Sequence, residues 1–443
     1  MGYLFLAPSA TAAQAQWRES KSPLLAVFYT KSEKFFVSQQ GKEVFGAGLN
    51  FRGALIKGGY ARAFPSALTT SGERKARWYS RQGQPLTMPT YDGKNIVEAT
   101  GGFSAGLGVV RWKSGSTNHA NFMRESGALA FPDNFSSVQM FQDGLAEAKS
   151  LKTKRWGYIN SSGSWVVPAK YKSVSRFNDG LAKVKNDAGL WALINTKGQL
   201  LTGFICRKPM FTQKGLAACY FPDKKNSTLL DASGKQTLAT PAKSISARSY
   251  GWIVRHHDGQ NDLRDLNGQT MVAKGEIYDA ASKMGDGLIA AQKVKSGPYG
   301  FINLKGQWVI QPTYSRVAAF NEGRAFVMKE KKGPVQMIDT SGKLLATYPE
   351  ATTLSKVGQM HEGLAAVGLK KGKKWRVGYV DPTGGWAIKP ELSSSGSIQY
   401  ARFVQGAAPA CRGDYPQTQC GVIDTKGAWV TPPKYSGIKR GFH

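Results

Sequence analysis

The stretch WGYINSSGSWVVPAKYKSVSRFNDGLA at residues 156–182 decides the fold of this chain. A short apolar strand at 157–159 precedes a turn that ends at Gly163, and a second apolar strand is expected to stop at Pro168. The Asp-Gly pair at 179–180 then forms a second tight turn, which leads into a third strand. Short apolar runs separated by such turns are typical of antiparallel hairpins. We interpret the stretch as one β unit.

The first turn glycine of this unit recurs along the chain. The interval is about 36 residues near the centre and longer at both ends. Such a repeat predicts an array that grows by stacking units rather than by enlarging one core. Terminal units are expected to differ from the others because they cap the array. The aligned glycines are Gly41, Gly83, Gly127, Gly163, Gly198, Gly234, Gly268, Gly306, Gly342, Gly384 and Gly427.

Asn or Asp stands three residues before the turn glycine in the clearest units. An Asx side chain at the first position and glycine at the fourth are preferred in type I turns. A single Asx beside each turn does not supply the ligands of a calcium site, so we interpret these residues as structural. They are Asn160, Asn195, Asp231, Asp265, Asn303, Asp339, Asp381 and Asp424.

The second turn carries Asp-Gly or Glu-Gly between apolar residues, which is a strong short-range hairpin signal. We assign these carboxylates to turns and do not pair them as catalytic acids. Clear copies lie at 141–146, 177–182, 320–325 and 360–365, and weaker copies surround Gly106, Gly215, Gly287 and Gly406.

A large apolar residue follows two positions after the turn glycine. We expect these residues to form a core ladder in which each unit packs on the next, with apolar neighbours such as Val309 and Ile310 buried on both strand faces. The alternative is an exposed aromatic platform for sugar rings or bases. The ladder positions are Trp165, Trp308, Trp386 and Trp429, with Leu200 and Leu344 equivalent. Proline is then expected to stop the strand at Pro89, Pro132, Pro168, Pro312, Pro390 and Pro432.

This pattern resembles the tryptophan-glycine (WG) β-repeat family of bacterial proteins. The matching signature is WGYIN at 156–160, followed by Val167, Pro168, Tyr171 and the turn at 177–182. It recurs at 299–303 through Pro312, Tyr314, Val317 and Phe320, at 378–381, and at 421–424 through Pro433 and Tyr435. The resemblance covers residues 121–443 and implies a repeat scaffold for interactions, with no catalytic residues to carry over.

The repeat predicts an all-β fold of tandem β-hairpin units, about 36 residues each, in an open β-solenoid-like array. The alternative is a closed β-propeller, which usually has about 4–8 blades of four strands. One observation favours closure: the chain ends at 435–443 after half a unit, and residues 24–28 resemble the missing strand. We divide the chain into a candidate leader at 1–15, divergent N-terminal repeats or a cap at 16–120, and the WG-type array at 121–443.

Charge is the unusual feature of the composition. The 443 residues include 60 Lys and Arg against 29 Asp and Glu, which gives a net charge of +31. Solubility alone requires only about 2–8 charges for a small domain, so the excess predicts attraction to nucleic acid, anionic lipid, acidic polysaccharide or an acidic protein. A generically basic, solvated surface is the alternative.

Repeated lysines at equivalent positions of a stacked array could form a continuous basic face. We expect such a face to bind through charge and to be sensitive to salt, because no base-reading motif accompanies it. The candidate polyanion-binding residues are Lys149, Lys152, Lys154, Arg155, Lys170, Lys172, Arg176, Lys183, Lys185, Lys370, Lys371, Lys373, Lys374 and Arg376.

The four cysteines fall into two close pairs, Cys206 with Cys219 and Cys411 with Cys420. Such spacings suit neighbouring antiparallel strands, whose facing side chains approach closely enough for a disulfide. Two disulfides would imply an oxidising compartment, and four unrelated buried thiols are the alternative reading.

The N-terminus supports an exported protein only in part. A short apolar run at 3–7 and an A-x-A site at 13–15 suggest a signal peptide, but no basic residue precedes the run. We predict a periplasmic or secreted location, with a cytoplasmic one as the alternative. No stretch approaches about 18 consecutive apolar residues, so no transmembrane helix is predicted.

Catalytic and metal-binding motifs are not evident. The histidines are His119, His256, His257, His361 and His443. Adjacent His256 and His257 would point to opposite faces of a strand, so one ion would not gain both. The chain has no nucleophile elbow, P-loop or dinucleotide fingerprint, and we predict no enzyme activity, no metal and no cofactor. Residues 412–414 spell RGD, which binds adhesion receptors when displayed but also arises by chance.

Together these features predict an exported, non-enzymatic repeat scaffold that binds an acidic protein partner or an anionic envelope polymer through a basic face. The alternatives are a cytoplasmic nucleic-acid-binding repeat protein and an enzyme whose site is built from loops. The cysteine pairs and the candidate leader argue against a cytoplasmic protein.

Overall fold

The computed structural model describes most of the chain from residue 106 onward and parts of the N-terminal region. The described residues are 25–29, 34–38, 40, 42, 49–50, 60–65, 77–80, 86–89, 98–104, 106–207, 212–372, 374–393, 398, 401–414 and 417–440. They form strands β1 to β36 in eleven antiparallel sheets and contain no α-helix, which confirms the all-β array of tandem hairpins. The candidate leader at 1–15 lies outside the described residues.

Strands that follow one another in the chain are neighbours in the sheets, as in a series of meanders. The N-terminal sheets contain β1 Leu25–Tyr29 and β2 Lys34–Ser38; β3 Leu49–Asn50, β4 Tyr60–Pro65 and β5 Arg77–Ser80; and β6 Glu98–Ser104, β7 Leu107–Ser114 and β8 Thr117–Arg124. The next sheets contain β9 Ser137–Val138, β10 Ala146–Lys149, β11 Trp156–Ile159 and β12 Trp165–Tyr171; β13 Ser173–Val174, β14 Leu181–Lys185 and β15 Trp191–Asn195; and β16 Thr212–Gln213, β17 Leu216–Tyr220 and β18 Ser227–Leu230.

The C-terminal half continues the same pattern, with a single short 3-10 turn at Leu354–Lys356 among its described segments. Its sheets contain β19 Ser244–Arg248, β20 Gly251–Arg255, β21 Asn261–Asp265 and β22 Thr270–Ile277; β23 Asp279–Ala280, β24 Leu288–Gln292, β25 Tyr299–Asn303 and β26 Trp308–Tyr314; β27 Arg316–Val317, β28 Arg324–Met328, β29 Val335–Asp339 and β30 Leu344–Tyr348; β31 Ala365–Lys371, β32 Lys374–Val380 and β33 Trp386–Ser393; and β34 Ala407–Arg412 and β35 Gln419–Asp424. The last strand is β36 Gly437–Arg440.

The last strand of the chain pairs with the first. β36 lies antiparallel to β1, with Phe28 opposite Ile438 and Tyr29 opposite Gly437. The expectation that the N-terminal apolar run supplies the strand missing at the other end is confirmed. The two ends of the array therefore meet in one sheet, and none of the eleven sheets is itself closed into a barrel.

The predicted Asx turns are confirmed. The side-chain oxygen of Asn160 accepts hydrogen bonds from the backbone N–H groups of Ser162 and Ser164, at 3.1 and 3.0 Å. The same pair of bonds recurs at Asn195, Asp231, Asp265, Asn303, Asp339, Asp381 and Asp424. These side chains are therefore occupied by their own turns.

The glycine of the Trp-Gly signature is required by the packing of two strands. A Cβ added at Gly157 would lie 2.3 Å from the carbonyl oxygen of Val167, and one added at Gly300 would lie 2.3 Å from that of Ile310. The pairing of these strands shifts register nearby, which brings the backbones close together. The residue before the glycine is under no such restriction, which explains why its identity varies.

Apolar clusters lie between consecutive sheets. Between the β9–β12 sheet and the β13–β15 sheet, for example, Tyr158, Val167 and Phe177 pack with Ala182 and Ile194. Burying one large apolar side chain contributes about 1.5–3 kcal/mol. A single unit has only its neighbours to cover its faces, so stability arises from stacking.

The predicted core ladder is confirmed only in part: Trp308 and Trp429 pack against apolar clusters shared with the preceding unit, but the ladder residues are only partly buried. Trp165 is 39% exposed and Trp386 37% exposed, and Val309 lies open to solvent rather than in a two-sided core. The strands concerned are edge strands whose outer side is uncovered. The ring of Trp165 meets Phe135 edge-on, with 5.6 Å between centroids, and Phe135 bridges to Ala120 of the preceding sheet. Of the other positions, Trp308 and Trp429 are half-buried, and Leu200 and Leu344 are exposed.

The expectation that proline ends these strands is wrong at three of the six positions. β12, β26 and β33 continue through Pro168, Pro312 and Pro390. Each lies at the edge of its sheet and pairs irregularly with its only neighbour, so the missing N–H leaves no ladder bond unmade. Pro89, Pro132 and Pro432 lie outside strands.

Candidate functional site

Antiparallel pairing places the two kinds of connection at opposite ends of each unit. One end, which we call the turn face, carries the Asx turns and the Asp-Gly turns. The other end, which we call the loop face, carries the loops between the second and third strands and the connections between units. The loops that define the loop face are 150–155, 186–190, 221–226, 256–260, 293–298 and 329–334, with residues 372, 413–414 and 417–418 at the corresponding places of the β31–β33 and β34–β35 sheets.

On the turn face, carboxylates connect consecutive units. Asp143 accepts a hydrogen bond from the backbone N–H of Gly180 at 2.9 Å, and Asp179 accepts one from Lys214 at 2.8 Å. Both Asp143 and Asp179 have a φ of 50°, as the first position of a type I′ turn requires. Equivalent bonds run from Gly323 to Asp286, from Glu362 and Gly363 to Glu322, and from Gly406 to Glu362. The assignment of these carboxylates to turns is confirmed, and the link between units was not foreseen.

On the loop face, consecutive loops are also in contact. Arg155 forms an ion pair with Asp187 of the next loop. His257 lies 3.0 Å from Asn226 of the preceding loop, measured between the ring Nε2 and the amide oxygen. Because both faces show contacts between equivalent connections, the units stack with the same end pointing the same way.

Most of the first predicted basic cluster converges on the loop face. Lys149 lies opposite Trp156, which lies opposite Tyr171 on the next strand. The backbone N–H of Lys172 donates to the carbonyl of Lys185 at 3.0 Å, which joins the two units at this end. Lys152, Lys154 and Arg155 occupy the adjacent loop and Lys170 ends β12, whereas Lys183 and Arg176 lie further from the loops.

Aromatic rings position several of these lysines. The ammonium of Lys149 lies 6.0 Å from the ring centroid of Trp156, and that of Lys185 lies 5.4 Å from Trp191. Lys183 also faces Trp191, at 5.7 Å, and burial lowers the pKa of its ammonium. Exposed cation–π contacts contribute about 0.5–1 kcal/mol each. The contacts orient the side chains without neutralising them.

The second predicted cluster is partly neutralised. Lys370 and Lys371 are exposed at the end of β31, and Lys373 lies outside the described residues. The carboxylate of Asp414 receives Arg376 at 2.7 Å and Lys374 at 2.6 Å. These cations hold the pKa of the Asp414 carboxyl well below its usual range. The same contacts engage the acid of the RGD tripeptide within the protein.

Each predicted cysteine pair lies at disulfide-bonding distance. The Sγ–Sγ distances are 1.90 Å for Cys206 and Cys219 and 2.02 Å for Cys411 and Cys420. Cys411 and Cys420 face each other directly on β34 and β35, as expected for neighbouring antiparallel strands. Cys206 precedes the sheet that contains Cys219, so this pair links consecutive units.

The adjacent histidines have separate partners. His256 lies 3.1 Å from Asp262, whereas His257 contacts Asn226. Asp262 is buried and also receives Arg264 at 3.2 Å. Among the residues that the structure describes, no group of three or more His, Cys, Asp or Glu is arranged to hold a metal ion.

Further lysines on the loop face were not selected from the sequence. The loops at 221–226, 293–298 and 329–334 carry exposed lysines that were overlooked because they form shorter clusters. Alignment of the repeats could have identified these lysines, because their loops occupy the same position in each unit as residues 150–155. The additional residues are Lys224, Lys225, Lys293, Lys295, Lys329, Lys331 and Lys332.

Comparison with known proteins supports the repeat assignment. The family model described as "WG containing repeat" matches residues 156–191, 299–332 and 421–442, which confirms the resemblance in three regions. A search of curated protein sequences finds no match. Within the described segments, no helix has the length and hydrophobicity needed to cross a bilayer.

Three solved structures share the general arrangement at low similarity. A eukaryotic initiation factor is 9% identical, with 95% of this chain and 97% of that chain covered and a TM-score of 0.42. BamB from Moraxella catarrhalis is 11% identical, with coverages of 77% and 92% and a TM-score of 0.29. Virginiamycin B lyase from Staphylococcus aureus is 12% identical, with coverages of 49% and 83% and a TM-score of 0.24. Likeness at this level carries no argument about function.

Proposed function

We propose that this chain, which matches the WG repeat in three regions, is an exported, non-enzymatic scaffold that binds an acidic protein partner or an anionic envelope polymer through its loop face. The observation that carries the proposal is the convergence of lysines from several units at one end of the stack. Lys152, Lys154, Lys170 and Lys172 are exposed there, and the loops of later units add further lysines.

Acidic residues on the loop face do not cancel this charge. Asp187 pairs with Arg155, Asp258 with Lys274, and Asp414 with Lys374 and Arg376. Each of these three acids is therefore matched locally, and the exposed lysines of the same loops outnumber the two further acids there, Asp223 and Glu330. A row of like charges along a surface attracts a polyanion from a distance and loses much of that attraction in salt.

The cysteine pairs support export. Structural disulfides persist in oxidising compartments and are rare in the cytosol. Both pairs lie at bonding distance, and Cys411 and Cys420 are buried in the last apolar cluster. An envelope location would bring the protein into contact with acidic polysaccharides and acidic envelope proteins rather than with nucleic acid.

A pair of charge-reversal variants tests the proposal. The loop-face variant combines Lys152→Glu, Lys154→Glu and Lys170→Glu. The turn-face control combines Lys197→Glu, Lys305→Glu and Lys426→Glu, which are also exposed and change the net charge equally. We expect the loop-face variant to bind its partner about tenfold or more weakly at low salt, and the control to bind nearly as well as the parent.

The measurement is capture from a native envelope extract over a salt series, with the captured material identified as protein or polysaccharide. Equal losses in the two variants would show that total charge alone drives binding and would overturn the proposal. Loss of the captured material after nuclease treatment would also overturn it, because the partner would then be nucleic acid.

A further inference from the structure

Two interfaces between repeats can be compared residue by residue. The filled interface lies between the β9–β12 sheet and the β13–β15 sheet, and the hollow interface lies between the β23–β26 sheet and the β27–β30 sheet. Their strands pair in the same register: Glu147 lies opposite Tyr158 in the first, and Ala290 lies opposite Phe301 in the second. The two interfaces therefore share a backbone arrangement and differ in side chains.

Polar side chains occupy the filled interface. Glu147 is 6% exposed, and the charge of Arg176 acts on its carboxyl. The hydroxyl of Tyr158 donates to the carbonyl oxygen of Ser175 at 2.7 Å. At the hollow interface the equivalent positions carry smaller or apolar residues. Ala290 corresponds to Glu147, Ala319 to Arg176, Phe301 to Tyr158 and Ala318 to Ser175. The side chains that fill the first interface are thus replaced by methyl groups and a phenyl ring.

The hollow interface contains a cavity of about 530 Å³. Ligand sites commonly have volumes of about 300–1,000 Å³, so the space suits one or two sugar rings. Gln292 and Tyr299 lie at the loop-face ends of β24 and β25, so the cavity reaches the loop face, and Lys283 in the β23–β24 connection extends its lining toward the turn face. The lining consists of Asp279, Ala280, Ala281, Lys283, Ala290, Gln292, Tyr299, Ser315, Arg316, Val317, Ala318, Ala319 and Leu354.

The cavity combines an apolar floor with a positive rim. Lys283 and Arg316 are exposed at the rim, and no ion pair joins either of them to a carboxylate within the described segments. The carboxylate of Asp279 is balanced by Arg248 at 3.2 Å and Arg255 at 3.4 Å. An anionic group entering the cavity would therefore meet net positive charge.

The remaining lining favours a hydroxylated ring. Tyr299 offers a half-buried aromatic ring. Gln292 and Ser315 offer acceptor oxygens beside the alanine floor, since the Gln292 amide already donates to the carbonyl of Gly297 at 2.5 Å and the Ser315 hydroxyl to that of Met328 at 3.1 Å. A pyranose ring has apolar C–H faces and polar edges, which match a wall that is aromatic and apolar with a few polar groups. A carboxylate on such a ring would reach the cations at the rim.

We propose that the hollow interface binds a carboxylated pyranose, that is, a uronic acid residue of an acidic polysaccharide. The carboxylate contacts Lys283 and Arg316, and the ring lies against Tyr299. The inference rests on the proposed function, because it names the chemical class of the anionic polymer and gives it a defined subsite among the loop-face lysines.

The test is titration of the full-length protein with the galacturonic acid disaccharide, followed by nuclear magnetic resonance, with lactose as the neutral control. We expect saturable binding of the acidic disaccharide and at least about tenfold weaker binding of lactose, because charge-assisted hydrogen bonds to Arg316 and Lys283 are lost. Arg316→Gln should weaken binding of the acidic disaccharide by a similar factor. Equal affinity for the two disaccharides would overturn the proposal.

A filling variant locates the site. The double substitution Ala290→Glu with Ala319→Arg introduces the pair already accommodated at the filled interface, so the fold should tolerate it. We expect it to abolish saturable binding, and retained binding would place the site elsewhere and overturn the inference.

The two proposals fail separately. If the loop-face and turn-face variants lose polymer capture equally while the parent protein still binds the disaccharide, the subsite stands and the proposed function falls. If polymer capture persists while the disaccharide does not bind the parent protein, only the subsite is overturned.

Discussion

The filled and hollow interfaces have the same backbone arrangement but carry different side chains. At the filled interface Glu147, Tyr158 and Arg176 occupy the space between two sheets, whereas at the hollow interface alanines leave a cavity of about 530 Å³. Both interfaces keep a pair of aromatic rings in contact at an angle, 56° between planes in the first and 68° in the second. The ring centroids are 4.6 Å apart for Tyr158 and Phe177 and 4.8 Å apart for Phe301 and Phe320. The aromatic pair maintains stacking, and the residues beside it determine whether a ligand can enter.

The filled interface also incurs an electrostatic cost that the hollow interface avoids. Burial raises the pKa of the Glu147 carboxyl, and one of its oxygens has no hydrogen-bond partner in the structure. Burial, together with the charge of Glu147, likewise raises the pKa of Tyr158. Buried polar groups that lack partners are unfavourable. An array whose stability comes from many stacked units can tolerate such a position at one of them.

The largest expected effect on the free energy of unfolding comes from substituting the turn glycines that precede β26 and β12. A Cβ added at Gly306 would lie 2.0 Å from the carbonyl oxygen of Met271, whereas one added at Gly163 would meet the Phe131 ring at 2.7 Å. Both glycines have positive φ, 79° and 86°. We expect Gly306→Ala to lower the free energy of unfolding by about 3 kcal/mol and Gly163→Ala by less, because a side chain can move more easily than backbone.

Urea unfolding followed by tryptophan fluorescence measures both glycine variants. If the two losses were equal, the shared positive φ rather than the contact with the preceding unit would determine the cost, and the packing explanation would be wrong.

A smaller effect is expected from exchanging the aromatic residues of the two interfaces. Tyr158→Phe removes the hydrogen bond to Ser175 and should cost about 1 kcal/mol. Phe301→Tyr adds a hydroxyl where the cavity leaves room and should change stability by about 0.5 kcal/mol or less. Paired thermal and urea unfolding curves provide the measurement. A larger loss for Phe301→Tyr would show that the hollow interface is packed more tightly than its cavity indicates.

The smallest expected effect on the free energy of unfolding comes from Glu147 and depends on pH. Because the pKa of Glu147 is raised in the folded protein above its ordinary value of 4.5, the folded state binds the proton more tightly than the unfolded chain does. The free energy of unfolding should therefore fall as pH rises from 4.5 through the raised pKa, and Glu147→Gln should remove this fall. At neutral pH the variant should be more stable by about 1 kcal/mol or less, with no gain in acid.

Unfolding experiments at about pH 4 and about pH 8 test directly whether the variant gains stability only at the higher pH. The exposed Glu391→Gln serves as the matched control, since it removes one carboxylate without changing a buried site. A gain from Glu147→Gln that is the same at both pH values would contradict the pH linkage.

Much of the local structure could be predicted from particular residues. The Asx turns follow from Asn160 and its equivalents, because each turn depends on a side chain bonding to its own backbone. The facing of Cys411 and Cys420 follows from their spacing in a hairpin. The exposure of Trp165 and the course of β12 beyond Pro168 could not be predicted, because both depend on the strand lying at a sheet edge, which local sequence does not reveal.

The candidate site was only partly visible in the sequence. The dense cluster from Lys149 to Lys185 was evident in the sequence. The lysines of the loops at 293–298 and 329–334 join the candidate site only because the fold places these loops at the same end of the stack. The pairing of Asp414 with Arg376 also depends on contact between a loop and strand β32 of a different unit.

The sequence by itself determined the repeating hairpin unit, its two turns and its strong positive charge, because these depend on contacts within about one unit of chain. The tertiary structure alone decided that turn carboxylates bond to the next unit, and that one interface is filled while another is hollow. Each of these depends on which side chains face each other across sheets that are neighbours in space. The spacing of residues along a single strand carries no information about the residue that a neighbouring unit places against it.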